Sequence, residues 1–386
     1  MAPITEANRV GPHPAQPIAG IPRAAEIRYY TASQFQLMWW KFRKHRLALI
    51  GTAVLGVFVF IALFAEFLAP YAPGNRSPEY LYGPPQTLHF VNAGGKFQWR
   101  PFTNALTLAM NPKTFLLEIE EDTDTPWPVY FFVKGDPYKL WGFIESDRHL
   151  FGVAEGHLHL LGTDQLGRDL LSRLLLATRT SLTIGVVGLA ISFFLGLIIG
   201  GISGYFGGGV DDAIQRFIEF IRSIPTLPLW MALAASLPRD WSPQRVYFTI
   251  TILLGLLGWT HLARRVRGKL LSLREEDFVV AARIAGSSDT RIIARHMLPS
   301  FLSYIIVDLS ISFPYMILAE TSLSFIGLGL RSPVISWGVL LQDAQNIQSI
   351  ALYPWLFTPV AFVILAVMAF SFVGDGARDA ADPYSR

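Results

Sequence analysis

Apolar residues in this chain of 386 come in blocks rather than in alternation, and the clearest blocks are Leu47–Ala69, Ser181–Tyr205, Val246–Leu262, Phe301–Leu323 and Ala351–Val373. Each approaches the roughly 20 residues that a helix needs to cross ~30 Å of hydrocarbon. With 52% hydrophobic and 16% charged residues, the chain is expected to be an all-α polytopic membrane protein. A sixth block, Phe217–Leu237, has the length but carries Glu219, Arg222, Pro225 and Pro228. A charge at mid-bilayer costs about 2.5–3.5 kcal/mol, so Glu219 and Arg222, three apart, are expected to pair on one helix face near a boundary.

Lys and Arg beside the spans set the orientation. Lys41, Arg43, Lys44 and Arg46 precede the first span; Arg264, Arg265, Arg267, Lys269, Arg274, Arg283, Arg291 and Arg295 lie between the fourth and fifth. Six spans place both basic segments inside, with both termini cytoplasmic and 70–180 and 324–350 outside. The net charge of +3 belongs to this topology signal and implies no nucleic-acid partner. The leader, 1–46, is rich in Pro and Ala without an apolar periodicity and is expected to be disordered. The 47–69 run exceeds a signal-peptide core of ~7–15 residues and is expected to stay as an anchor. The absence of cysteine excludes disulfides and thiolate metal sites.

Residues 70–160 are too long for a connector. From Pro84 to Val153 they read as a small β-rich extracytoplasmic insert, with strands near Leu88–Val91, Phe97–Trp99, Phe115–Ile119 and Val129–Val133 and turns at Asn-Ala-Gly-Gly and Asp-Thr-Asp-Thr-Pro. The acidic cluster Glu118, Glu120, Glu121, Asp122 and Asp124 lacks the Gly and spacing of a calcium loop and reads as a solvated strand end. Trp99, Trp127 and Trp141 read as a small core or as membrane-interface residues. In 161–180, Leu166, Leu170, Leu171, Leu174 and Leu175 share one side and Arg168, Asp169, Ser172, Arg173 and Arg179 the other, predicting an interfacial helix ahead of the second span. Spans two to six then occupy 181–374, and 375–386 is a tail.

The cytoplasmic loop 264–299 is built to be compact. Glu276–Ala285 contains good helix formers and a small-residue face at Ala281, Ala282 and Ala285 that another protein can approach closely. Gly286 suits a left-handed helix end, Ser287, Ser288 and Asp289 offer the next N-cap, and Pro299 is expected to stop a second short helix. Helix, sharp turn, helix is the prediction. Within the fifth span, Asp308 and Glu320 are carboxylates in hydrocarbon, a placement that goes with a pathway, a gate or a partner.

Four segments carry a resemblance. LGTDQLGRDLLSRLL followed by RTSL is similar to the signature before the second span in the C-type permease subunit of dipeptide, oligopeptide and nickel ABC importers. Ala281-Ala282-x3-Gly286-x9-His296-Met-Leu298-Pro299 resembles the EAA loop of ABC importer permeases, EAA-x3-G-x9-I-x-LP. ETSLSFIGLG at 320–329 with SPVISWG at 332–338, and GDGARDAADP at 374–383, resemble the family's later segments. Four such motifs in order are specific where one is not. The sequence departs at Val280, where the pattern has Glu, with Glu275, Glu276 and Asp277 about one turn away, and at His296, where the general pattern has Ile.

The resemblance implies the six-helix type I ABC importer permease fold in a bacterial inner membrane. It implies a coupling surface of Asp277, Ala281, Ala282, Arg283, Gly286, His296 and Pro299. It also implies a second permease subunit, two ATP-binding subunits and an extracytoplasmic solute-binding protein. Having no G-x4-G-K-[ST] phosphate loop, the chain is expected to be a transport subunit without its own ATPase site and without a cofactor. A secondary transporter would show inverted repeats and an intramembrane enzyme a catalytic motif; neither His-Glu-x-x-His nor Gly-x-Ser-x-Gly occurs.

Overall fold

A computed structural model describes residues 32–92, 94–110, 117–238, 240–346 and 351–381. Part of the expected leader is ordered. Ser33 accepts from the Gln36 N–H at 3.3 Å while the Gln36 side chain accepts from the Ser33 N–H at 3.0 Å, a reciprocal cap that starts α1 (Gln34–Phe42). The rest of the leader lies outside the described residues. His45 caps α2 (Arg46–Leu63) through Ala48 N–H at 3.1 Å, and the chain breaks at Phe64 before the single turn α3 (Ala65–Leu68). The carbonyls freed at that break find a partner: Arg179 donates to Ala62 O at 2.6 Å and binds the Glu66 carboxylate.

The insert is an antiparallel meander in the order β1 (His89–Val91), β2 (Phe97–Met110), β3 (Leu117–Leu140), β4 (Ile144–Val153). Two strands were expected within what is a single β3. Asp-Thr-Asp-Thr does not reverse the chain. It forms a bulge, because Asn104 pairs with Pro126 and Ala105 already with Asp122, and Asp122 accepts from Asp124 N–H at 3.0 Å and Thr125 Oγ1 at 2.8 Å. Of the acidic cluster, Glu121 is engaged by His89 at 3.0 Å and Asn104 at 3.2 Å. Burial pushes its carboxyl up, but the hydrogen bonds from His89, Thr87 N–H and Asn104 outweigh it and hold the group below the usual carboxylate range.

No separate helix forms over 161–180. Residues 161–169 make a turn-rich segment and α4 (Leu170–Phe206) runs unbroken for 37 residues from an Asp169 cap. Four of the five residues on the polar side expected to face water are buried, Arg168 8%, Asp169 4%, Ser172 1% and Arg173 2% exposed, and Arg179 is half-buried. Asp164 explains this. Its carboxylate accepts from Leu166 N–H at 2.8 Å, Arg168 N–H at 3.1 Å, Arg168 Nε at 2.7 Å and the Arg173 guanidinium, and Asp343 adds a second carboxylate 3.3 Å from Arg173. Charges neutralised across 170 residues of sequence can sit where an isolated helix could not hold them.

The sixth apolar block is not a straight span. α5 (Gly208–Ser223) and α6 (Thr226–Ala235) meet at 80°; Ile224 is extended, as a residue before proline prefers, and Pro225 opens α6. Glu219 meets Arg264 of α7 (Pro243–Leu273) at 3.4 Å rather than the expected Arg222. α4 and α7 pack with their backbones nearly touching: a β-carbon at Gly200 would lie 2.5 Å from Ala263 O and 2.8 Å from its Cα, and Gly196 and Gly204, one turn either side, abut Leu262 and Arg267. Gly200→Val is expected to cost about 1–3 kcal/mol through overpacking, seen as a lowered melting temperature of the detergent-solubilised chain.

Within the loop, α8 (Asp277–Ile284) leads through short helical turns to α9 (Leu302–Phe325); α10 (Trp337–Gln342) and α11 (Thr358–Ala381) follow. The expected tail is helical as far as Ala381 and packs inward: Gly376 faces Ala48 and Phe42, and Asp379 lies 3.5 Å from His45. Among the described residues five helices are long and apolar enough to cross a membrane, or six if the bent pair counts as one span.

Candidate coupling site

Between α7 and α9 the chain leaves the bundle and returns as a knob. Its root is apolar: Val279, Ile292 and Met297 are fully buried against Tyr205 of α4, Leu262, Val266, Leu270 and Leu273 of α7, and Phe301 and Ile305 at the start of α9. Three buried side chains from two sides of the turn hold the knob to three long helices.

The turn itself follows from Gly286. Its φ is +75°, a conformation a β-carbon disfavours, and it ends α8 with the Ser287 N–H donating to Ala282 O at 3.1 Å and the Gly286 N–H to Arg283 O at 3.0 Å. That is the paired Schellman arrangement. The following chain is re-engaged by Tyr205, whose hydroxyl donates to Asp289 Oδ1 at 2.6 Å while the Arg283 guanidinium lies 5.7 Å over its ring. Tyr205 therefore bridges the two sides of the turn, Arg283 before it and Asp289 after it. Neither role was legible beforehand: Tyr205 looked like the end of an apolar run and Asp289 like a cap.

The expected residues divide into two sets. Asp277, Ala281, Arg283, Gly286 and Pro299 are exposed, whereas Ala282 and His296 are half-buried, Ala282 packing against the knob's root. The small-residue face is thus split, Ala281 and Ala285 outward and Ala282 inward. Asp277 stands in the first turn of α8, where a carboxylate complements the helix dipole. Val280 is 40% exposed and Ile284, four residues on, 83%; with Phe278 they give the knob an apolar outer surface. The second short helix does not end at Pro299. It widens into a π-helical stretch over Ile292–Met297, runs through Pro299 and breaks at Phe301.

Asp308 and Glu320 lie apart from one another. Asp308, one turn beyond the knob's root on α9, is 4% exposed and its carboxylate meets Arg265 of α7. Glu320 is fully buried near the far end of α9 and accepts from Ser324 at 2.8 Å and Ser336 at 2.6 Å. Beside it Ser181 accepts from Trp337 N–H at 3.1 Å and Ser324 from Leu330 N–H at 3.0 Å. Three of the sequence motifs, RTSL, ETSLSFIGLG and SPVISWG, therefore converge around one carboxylate. Among the described residues no group of three or more His, Asp or Glu is placed to hold a metal ion.

Residues 194–386, which contain the knob and Glu320 with Ser324 and Ser336, match the family described as binding-protein-dependent transport system inner membrane component. The chain belongs to this family. Residues 33–85 match the N-terminal TM domain of oligopeptide transport permease C. The chain is 33% identical over 353 residues to the dipeptide transport system permease protein DppC of Lactococcus lactis, covering 91% of each chain. It is 41% identical over 246 residues, 63% of this chain and 76% of the relative, to the oligopeptide transport system permease protein OppC of Haemophilus influenzae. A chain of the inward-facing MetNI methionine ABC transporter aligns at a TM-score of 0.40 with 18% identity, over 54% of this chain and 95% of that one, too distant to bear on the argument. The sheet β1–β4 lies between the two matched family segments and owes nothing to either.

Proposed function

We propose that the chain is one permease half of an ATP-driven importer of the type I fold, that its cargo is a peptide or a related small solute, and that the knob is its joint to a separate ATPase. The cargo class is taken from the relatives, which are oligopeptide and dipeptide permeases by name. The observation that carries the coupling role is the knob's construction: an exposed helix, α8, closed by the Gly286 turn and rooted through Val279, Ile292 and Met297 in three long helices. In this reading the basic loop and both termini are cytoplasmic, and the sheet is extracytoplasmic.

Driving a transporter from about 1:99 to 99:1 between inward- and outward-open states takes roughly 5.5 kcal/mol of differential interaction. ATP-driven closure of two ATPase subunits would act on α8 in each permease half, and the knob's buried root would pass the displacement to α4, α7 and α9. The Arg265–Asp308 pair ties α7 to α9 one turn above that root, which favours an internal brace over a pathway residue. Glu320, holding Ser324 and Ser336, braces the opposite end. The outward-facing apolar pair Val280 and Ile284 is the contact the ATPase would cover. A solute-binding protein would then deliver cargo to the outer side.

The test is purification of the tagged chain from its native membrane in mild detergent, with identification of what accompanies it and an ATPase assay. Recovery of a second permease-like chain with ATP-binding subunits and ATPase activity is expected. A lone, intact, monodisperse chain without that activity would overturn the proposal.

A further inference from the structure

The hairpin joining β3 to β4 turns through Trp141 and Gly142, at φ +55° and +85°, with the Phe143 N–H donating to Leu140 O at 3.3 Å. Leu140 pairs with Ile144 across a three-residue loop, and two of its three residues are left-handed. Glycine suits that conformation; a tryptophan there costs roughly 1–2 kcal/mol. The first span holds it in place. Trp141 Nε1 donates to the carbonyl of Leu63, the last residue of α2, at 2.8 Å, and the indole lies 6.0 Å from the Phe64 ring. Phe132 on β3, also left-handed at φ +56°, lies 6.1 Å from Phe67 of α3. Among the described residues, two of the three non-glycine positions with positive φ are therefore aromatics folded onto the end of the first span.

These side chains are not covered. Phe143 is 72% exposed, Phe132 61% and Ile144 44%, and their surface runs on into Phe60 and Leu63 of α2, 51% and 47% exposed. On a span, such residues face acyl chains. An apolar patch continuous with that surface, bearing an indole whose polar end is satisfied, has the composition of the zone where headgroups meet hydrocarbon. Just behind the tip the strands turn charged, with Lys139 paired to Glu145 at 2.8 Å and Lys134 to Asp147 at 3.4 Å. Apolar tip, then paired charges, is the polarity order of that boundary.

We infer that the β3–β4 hairpin tip is a lipid anchor: Trp141, Phe143 and Ile144 sit in the headgroup–acyl boundary of the leaflet surrounding the end of α2. The inference rests on α2 being a span and is independent of the coupling and cargo readings. The lack of native cysteine makes the test direct. Phe143→Cys and Thr123→Cys, the latter about 60 Å of extended strand away, are labelled with an environment-sensitive fluorophore in the intact complex. The complex is then reconstituted into vesicles of phosphatidylcholine and phosphatidylglycerol. The label at 143 should emit at shorter wavelength and lose emission to a headgroup nitroxide lipid, while the label at 123 responds only to aqueous iodide. Iodide quenching at 143 like that at 123 would overturn the inference. Protection of 143 from both quenchers would also overturn it, since a protein would then cover the tip. Should Phe143→Cys fail to reach the membrane, Ile144→Cys is read by the same criteria.

Discussion

Gly286→Val is expected to leave the chain inserted at normal levels while abolishing most cargo uptake and the cargo-dependent part of ATPase activity. A β-carbon at 286 would meet nothing within 4 Å, so the defect is one of backbone conformation rather than collision. At φ +75° an L-residue costs about 1–2 kcal/mol, and a β-branched one is worse. The chain relieves that cost by opening the turn, which gives up the Ser287–Ala282 and Gly286–Arg283 hydrogen bonds and moves α8 relative to its root. A loss of about 2 kcal/mol in docked geometry is roughly a thirtyfold fall in the competent population. Uptake and ATPase rate in the reconstituted complex read this out together. Gly286→Asn, which visits left-handed conformations more readily, should retain more of both. Uptake by the valine variant at the unmodified rate would remove the coupling assignment.

Asp164→Ala is expected to have the largest effect on stability. Asp164, 1% exposed, is the carboxylate on which two guanidiniums and two backbone N–H groups converge, and without it Arg173, itself 2% exposed, keeps only Asp343. Removing one partner of a buried pair costs about 3–5 kcal/mol because the other charge stays buried. The expected result is a chain that aggregates or is degraded, or in detergent loses its monodisperse peak well below the unmodified melting temperature. Asp164→Asn keeps an acceptor for the turn but not the charge and should fall between. A melting temperature unchanged by the alanine substitution would mean that the network is not structural.

Most of the helical frame was legible because each apolar block already satisfies its own backbone and needs only length to declare itself. What escaped depended on partners distant in sequence. The start of α4 looked amphipathic, since nothing near Arg173 indicates that Asp164 and Asp343 will neutralise it. Proline-bearing β3 looked like two strands, since a bulge is fixed by its register with β2. The bend at Ile224–Pro225 is signalled by the prolines, which leave the block's hydrophobic length intact while turning its axis by 80°. In the knob, Gly286 declared its left-handed turn through residue type, whereas Tyr205, about 80 residues earlier, is joined to Asp289 only by the fold. Ile284 carried a usable signal: with Val280 four residues earlier it puts a second aliphatic on one helix face.

Because α4 is unbroken from Leu170 to Phe206, its two ends are not independent. Arg173 with its carboxylates occupies one end and Tyr205, held to the knob, the other, and 32 residues at 1.5 Å per residue place them roughly 48 Å apart. A stiff rod of that length is a lever. Tilting it by about 5° about its knob end sweeps the far end through roughly 4 Å, comparable to the width of a water molecule and its neighbours' clearance. If the knob is the joint proposed above, small rotations there are magnified at the other end of α4, with no break in the helix between the two to absorb them.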